Sequence, residues 1–413
     1  MLPSGTQAVN DLASLPAHEP ASVNEKICVL FLVEGFTDIR FVKGLSEICN
    51  LTMVVPARQY AESGLKNRII ESGCRVVVHE IPGGRLGFQL RSLSHLWNHV
   101  DGFDVILAQE VLRGALNANI VGKLKGIPVV TYMGIAPVEY YRCRHERGQV
   151  GRIKAAAGEF TIRSMMAING SLCSHCLAMG PYLRDVASGY CRCSHVGLYY
   201  GVDVELFRPA DQKERLRLRN RLNLPLERFI VLFSSRISHE KDPETILRAV
   251  SITRSKGLDA IVVNIGGGYR EFLDLARNMG LGETRDWVFG RPAEHPMKGV
   301  PDFFRAADVL AQASLAEGAA YSTLEALACG IPVIATAVGG MAVQLDGHAR
   351  LVPRRDAKAM AEQIFWVAEN RGEASAEAMQ GRDYVIKEWN RHKAFADLLR
   401  VLKAASRRPD FNE

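Results

Sequence analysis

A chain of 413 residues is too long for one ordinary core and calls for two domains of comparable size. The hydrophobic share of 47% and charged share of 23% are those of a soluble globular protein, and no apolar run approaches the roughly 18–20 residues of a bilayer span. The net charge of +6 is mild, and the basic residues lack interleaved aromatics, so a nucleic-acid partner is not expected.

In chain order, the first two dozen residues are rich in Ala, Pro and Ser and lack a basic start followed by an apolar block. They read as a disordered leader, residues 1–24, and not as a signal peptide. Short apolar runs then alternate with helical patterns. Strands are expected at Ile27–Val33, Leu51–Val55, Arg75–His79, Asp104–Ala108 and Ile127–Tyr132, with helices such as Ile39–Ile48 and Gly114–Lys125 between them. That rhythm builds βαβ units and a parallel sheet. Two further strands, Cys176–Met179 and Ser194–Leu198, flank a helix at Pro181–Ala187.

Between Arg142 and Lys154 five cations, Arg142, Arg144, Arg147, Arg152 and Lys154, stand against the single acid Glu146. Such a run suits an anionic membrane surface or a lipid-diphosphate acceptor, though it is more often a solvated face. Nine cysteines include Cys173, Cys176, Cys191 and Cys193, near His175 and His195. The second pair has the wrong spacing for common zinc modules, so scattered thiols in a reducing cytosol are expected and no metal site.

The segment YYGVDVELFRP, Tyr199 to Pro209, marks the domain boundary, and Lys213–Arg221 opens the second domain as a helix. The βα rhythm resumes with strands at Phe229–Ser234, Ala260–Ile265, Trp287–Phe289 and Val309–Ala313. Helices fall at Pro243–Ser255, Arg270–Met279 and Val300–Ala307. The helical spacing of Trp389, Phe395, Leu398, Leu399 and Leu402 predicts a helix over Tyr384–Ala405. The expected divisions are 25–200, 201–385 and 386–413. Two doubly wound sheets would turn their strand carboxyl ends to a shared cleft, where ligands of open α/β sheets bind.

The most informative stretch is EGAAYSTLEALACGIPVIAT, Glu317 to Thr336. Two acids, Glu317 and Glu325, bracket a small-residue turn that runs into a helix, Thr323–Cys329. Gly330 stops that helix before a buried strand at Ile331–Thr336. A helix start with free N–H groups seats phosphate. Ser322 and Glu325 also fit a capping box, and the residues alone leave both readings open. Arg236 and Lys241 follow the strand Phe229–Ser234, where fixed cations could stabilise a developing negative charge. Gly266, Gly267 and Gly268 follow the next strand. They do not form a dinucleotide fingerprint, because Glu271 stands where the third glycine is needed. Their backbone could approach a ligand or simply make a tight turn.

Glu317 and Glu325, with the turn between them, resemble the E-x7-E signature of retaining GT-B glycosyltransferases of family 4, the glycosyl transferases group 1. The linker Tyr199–Pro209 resembles that family's Asn-Gly-Val-Asp segment, with Tyr200 in place of Asn. The resemblance covers residues 200–400 strongly and 25–200 diffusely. It implies the GT-B fold: two facing Rossmann-like α/β domains, first for acceptor and second for donor, with a C-terminal helix crossing back to the first. It implies a nucleotide-diphosphate sugar as co-substrate, transferred to a saccharide or lipid-linked acceptor with retained configuration, as in cell-surface polysaccharide or glycolipid synthesis. Glu317 would face the sugar, Glu325 the ribose, and Gly318, Tyr321 and Ser322 the diphosphate, which Arg236 and Lys241 would clamp. Val288 to Pro296, with Arg291 and Pro292, would line the base, and Gly35 would close over phosphate or acceptor. The family's His before Gly is replaced by Met133 before Gly134. No essential divalent ion is expected, since the two cations can replace one. The cytosol, peripherally on the inner membrane face, is the expected location. A nucleotide-sugar epimerase, a sugar phosphorylase and a non-catalytic nucleotide-sugar-binding subunit are the alternatives.

Overall fold

The computed structural model describes residues 26–281, 286–292 and 294–406. The leader, residues 1–24, lies outside the described residues. The chain divides into two compact units. One holds residues 26–138, 153–200 and 392–406; the other holds 139–152 and 201–391. The division at Tyr200 and Gly201 coincides with the linker, whereas residues 139–152 group with the second unit.

The first unit is built on seven parallel strands. They are β1 (Cys28–Leu32), β2 (Asn50–Pro56), β3 (Val76–Ile81), β4 (Val105–Ala108), β5 (Val129–Met133), β6 (His175–Met179) and β7 (Ser194–Gly197), in the order β3-β2-β1-β4-β5-β6-β7. β1, β4 and β5 are wholly or nearly wholly buried and consist almost entirely of aliphatic and aromatic residues. That is the signature of a sheet covered on both faces by helices. The order reverses between β1 and β4, which opens a crevice at their carboxyl ends.

The second unit repeats the plan with six parallel strands. They are β8 (Phe229–Ser234), β9 (Ala260–Ile265), β10 (Val288–Arg291), β11 (Val309–Gln312), β12 (Val333–Thr336) and β13 (Arg350–Val352), in the order β10-β9-β8-β11-β12-β13. Its switch point lies between β8 and β11, which pair through Val231 and Leu232.

The expected helix over Tyr384–Ala405 is in fact two, Arg371–Glu388 and Arg391–Ser406. Val202 forms a β-bridge with Asn390 and takes backbone bonds from both sides of it, which interrupts the helical ladder there. Gly201 permits this approach, since a Cβ on it would stand 2.6 Å from the Arg391 Cα. The second helix belongs to the first unit, as expected of a returning C-terminal helix. Its Phe395 lies over Gly44 and beside Phe41 of the helix Ile39–Ile48.

Candidate active site

The site of the second unit is assembled at the carboxyl ends of β8 and β11. From β8 the chain continues through Ser235–Asp242, a loop pinned to the end of β9. Ser235 N–H donates to the Ile265 carbonyl at 3.1 Å, Ile237 N–H to Gly267 at 2.7 Å, and the Asn264 amide to the Phe233 and Ser235 carbonyls at 3.0 Å each. Gly266 has φ +148°, and a Cβ there would lie 2.4 Å from the Ser235 carbonyl oxygen. The glycines thus let two main chains approach, fixing the segment that carries Arg236.

From β11, the loop to the helix Tyr321–Ala328 carries Glu317, which is 5% exposed. Its backbone carbonyl accepts from Gly340 N–H at 2.8 Å. The Ser314 hydroxyl donates to Glu317 Oε2 at 3.0 Å and accepts from the Gln312 amide at 2.9 Å. The Lys241 ammonium forms an ion pair with the same Oε2, and both side chains are largely removed from water. Arg236 Nη2 donates to Glu240 Oε1 at 3.0 Å, with the Arg236 side chain 66% exposed. Burial pushes the Glu240 carboxyl upward, but its own backbone N–H, Ser238 and Arg236 outweigh that and hold it below the usual range.

The helix begins at Tyr321, two residues before the expected start. Ala320 is its N-cap, with no side-chain capping bond. Ser322 therefore sits inside the first turn, and the Ser322–Glu325 capping box is not what starts this helix. The Ala320 carbonyl instead accepts from the Thr323 hydroxyl at 2.6 Å and the Gln344 amide at 3.1 Å. Gly330, at φ +65°, ends the helix as expected, with Gly330 N–H bonded to Leu327 and Ile331 N–H to Ala326. Glu325 and Tyr321 are buried, Gly318 is buried and Ser322 is half-buried.

Sequence reasoning missed Tyr140. It sits on the helix Pro137–Glu146, within the stretch that groups with the second unit, and its hydroxyl donates to Glu317 Oε1 at 3.4 Å. Tyr140 and Cys143 pack on Leu315 and Ala316, just before Glu317. Burial drives the Tyr140 pKa well up, and the Glu317 and Glu240 carboxylates add to this, so the phenol stays protonated and can donate. The basic run drew attention to its arginines instead. Of these, Arg147 turns inward to pair with Asp242 at 3.0 Å and Glu244 at 3.3 Å, while Arg142, Arg144, Arg152 and Lys154 are exposed.

The Arg291 carbonyl accepts from Gly266 N–H at 3.4 Å, placing the end of β10 beside the glycine turn, but its guanidinium reaches the Asn223 carbonyl. Pro292 is exposed. Gly35 belongs to the first unit, on the wall of a cavity there. Met133 ends β5 and is 2% exposed. Cys173 and Cys191 have sulfurs 3.6 Å apart, and His175 bonds His195 at 2.9 Å. Among the described residues, no group of three or more His, Cys, Asp or Glu is arranged to hold a metal ion.

Two doubly wound parallel-sheet units are the architecture of the GT-B fold. HepE of Anabaena, solved with UDP-glucose, matches 91% of this chain and 99% of its own, with a TM-score of 0.73 and 16% identity. Sucrose-phosphate synthase of Thermosynechococcus elongatus matches 92% and 99%, with a TM-score of 0.71 and 17% identity. Residues 214–383 match the family glycosyl transferases group 1. The chain is similar to D-inositol 3-phosphate glycosyltransferase 1 of Catenulispora acidiphila, 29% identical over 76% of this chain and 81% of that protein. It is also similar to the D-inositol 3-phosphate glycosyltransferase of Saccharomonospora viridis, 34% identical over 50% of each chain. No helix among the described residues is long and apolar enough to cross a membrane.

Proposed function

We propose that the protein is a retaining enzyme that moves a sugar from a nucleoside-diphosphate sugar to a hydroxyl-bearing saccharide or lipid-linked acceptor. The observation that carries this reading is the Lys241–Glu317 ion pair beside Arg236 and the start of the helix Tyr321–Ala328. Breaking the sugar–phosphate bond leaves negative charge on the nucleotide, and Arg236, Lys241 and the first-turn N–H groups are the chemistry that stabilises it. The acceptor oxygen bonds the anomeric carbon on the face the phosphate leaves, and its proton passes to the departing phosphate oxygen. A double displacement through Glu317 is disfavoured. A carboxylate already engaged by an ammonium, a serine hydroxyl and a phenol is a poor nucleophile, so Glu317 is better placed to hold sugar hydroxyls.

The name of the relatives and the nucleotide bound in HepE support a phosphorylated cyclitol and UDP sugars as first substrates to test. Arg142, Arg144, Arg152 and Lys154 are each exposed, and exposed cations suit an anionic inner membrane surface if the acceptor is lipid-linked. Nucleoside diphosphate release, measured over a donor panel with and without acceptor, tests the reading. Release by the native chain and its loss in Glu317→Ala supports it; folded native protein that releases nothing from any donor overturns it.

A further inference from the structure

Cys173 and Cys191 lie 18 positions apart, yet their sulfurs approach to 3.6 Å inside the first unit. Each is held by a different element. Cys173 follows the helix Arg152–Leu172, its N–H donating to the Asn169 carbonyl at 2.9 Å. Cys191 follows the helix Pro181–Ser188, its N–H donating to the Ala187 carbonyl at 2.8 Å. Gly170 lets the two helix ends meet, since a Cβ on it would stand 2.3 Å from the Tyr190 carbonyl oxygen. Thiols that the sequence shows only as scattered are thus brought into contact by the fold.

Their surroundings make them unlike the other buried cysteines. Burial pushes Cys49 and Cys176 up to about 12, and it raises Cys143 and Cys329 as well. Cys191 moves the other way. The Cys173 thiol donates to its sulfur and lowers it to about 7, although Cys191 is only 4% exposed. Cys173, holding the shared proton, is driven well above the usual thiol range by the same bond and then by burial. Near neutral pH the pair therefore presents a thiolate, the reactive form of sulfur, against a second thiol able to resolve its oxidised product. Cys173 is half-buried, so the pair is not sealed from water.

We propose that Cys173 and Cys191 form an oxidation site, which hydrogen peroxide converts into a disulfide within the chain. The Cys191 sulfur attacks one peroxide oxygen and the O–O bond breaks. A sulfenic acid forms on Cys191, and the departing hydroxide takes up the proton lost from the thiol, giving water. The Cys173 sulfur then attacks the Cys191 sulfur. The S–S bond forms, the S–O bond breaks, and the hydroxide leaves with the Cys173 proton as a second water. Two thiols lose two electrons and one peroxide gains them. The bond ties the end of the helix Arg152–Leu172 to the approach to β7. One turn earlier the Asn169 amide donates to the Val111 and Leu112 carbonyls at 3.0 and 2.8 Å, so the crosslink also braces the segment between β4 and the helix Arg113–Lys125. None of this depends on the transfer reaction.

Mass spectrometry of the full chain tests it, after complete reduction and then a small molar excess of hydrogen peroxide. The intact mass should fall by two hydrogens and return with a dithiol reductant. Trypsin cuts after Arg163, Arg184 and Arg192, so Ser164–Arg184 should appear joined to Asp185–Arg192, with Cys193 on neither peptide. Cys176 shares the first peptide, and Cys176→Ser should leave the link intact. Cys173→Ser should abolish it and leave a sulfenic acid on Cys191 that dimedone traps; Cys191→Ser should give neither product. The rate of bridging should level off above about pH 8, where a thiol of ordinary pKa would go on gaining reactivity. Thiols that stay reduced, a bridge that uses Cys176 or Cys193 or joins two chains, or a link that survives Cys173→Ser overturns the proposal.

Discussion

Lys241 and Glu317 stand 76 positions apart in sequence, yet the ammonium of one lies against the carboxylate of the other at the switch point of the second sheet. Their side chains are only 14% and 6% exposed. Removing one partner strands the other charge, a loss of about 3–5 kcal/mol for a buried pair. Lys241→Met and Glu317→Leu should each lower the denaturation midpoint strongly, and the double variant should recover much of the loss while staying inactive. Chemical denaturation of all four proteins checks this. Additive losses in the double variant would show that the pair is not coupled.

Gly266→Ala forces a side chain onto backbone at φ +148° and into the Ser235 carbonyl. A destabilisation of about 1–3 kcal/mol follows from the conformation alone. Because Ser235 leads directly into Arg236, the donor KM should rise more than kcat falls. Kinetics with stability measured in parallel check it; a variant with native donor KM would detach the glycine turn from the cation.

Glu110 gives a pH signature in the first unit. Its carboxyl titrates near 8 in the folded chain, against about 4.5 for the ordinary group. The folded state therefore holds the proton more tightly, and stability falls as pH rises between those values. His95 works oppositely: burial, then His99 and His79, lowers its pKa to about 4, so its effect is complete by about pH 6.5. Between pH 6.5 and 8.5, Tm should fall in the native chain and flatten in Glu110→Gln. A slope unchanged by the substitution would contradict the assignment.

In the proposed mechanism Arg236 and Lys241 would supply the positive charge that a divalent ion would otherwise provide to the leaving diphosphate. Turnover should persist in excess chelator, and Lys241→Ala should not be rescued by added magnesium. A rate that vanishes with chelator and returns with metal would contradict this.

Much of this was legible in sequence. The near-uninterrupted apolar runs gave β8 and β9 to the residue, and Pro243 with Gly330 punctuated the helices around the site. Glu317 and Lys241 stood out by residue type and spacing. Tyr140 did not, because its role depends on residues 139–152 grouping with the second unit, a contact at long sequence separation that local periodicity does not carry. The break at Trp389–Asn390 was hidden for the same reason: a distant strand residue, Val202, causes it against a favourable helical pattern. β13 is only three residues long, too short for a period of two to register.

The most direct test of the central claim is a crystal structure with UDP bound. The diphosphate should lie within hydrogen-bonding distance of Arg236 and Lys241, against the first turn of the helix Tyr321–Ala328, with Lys241 turned from Glu317 toward phosphate. A nucleotide seated elsewhere, with the Lys241–Glu317 pair undisturbed and Arg236 still on Glu240, would contradict the account.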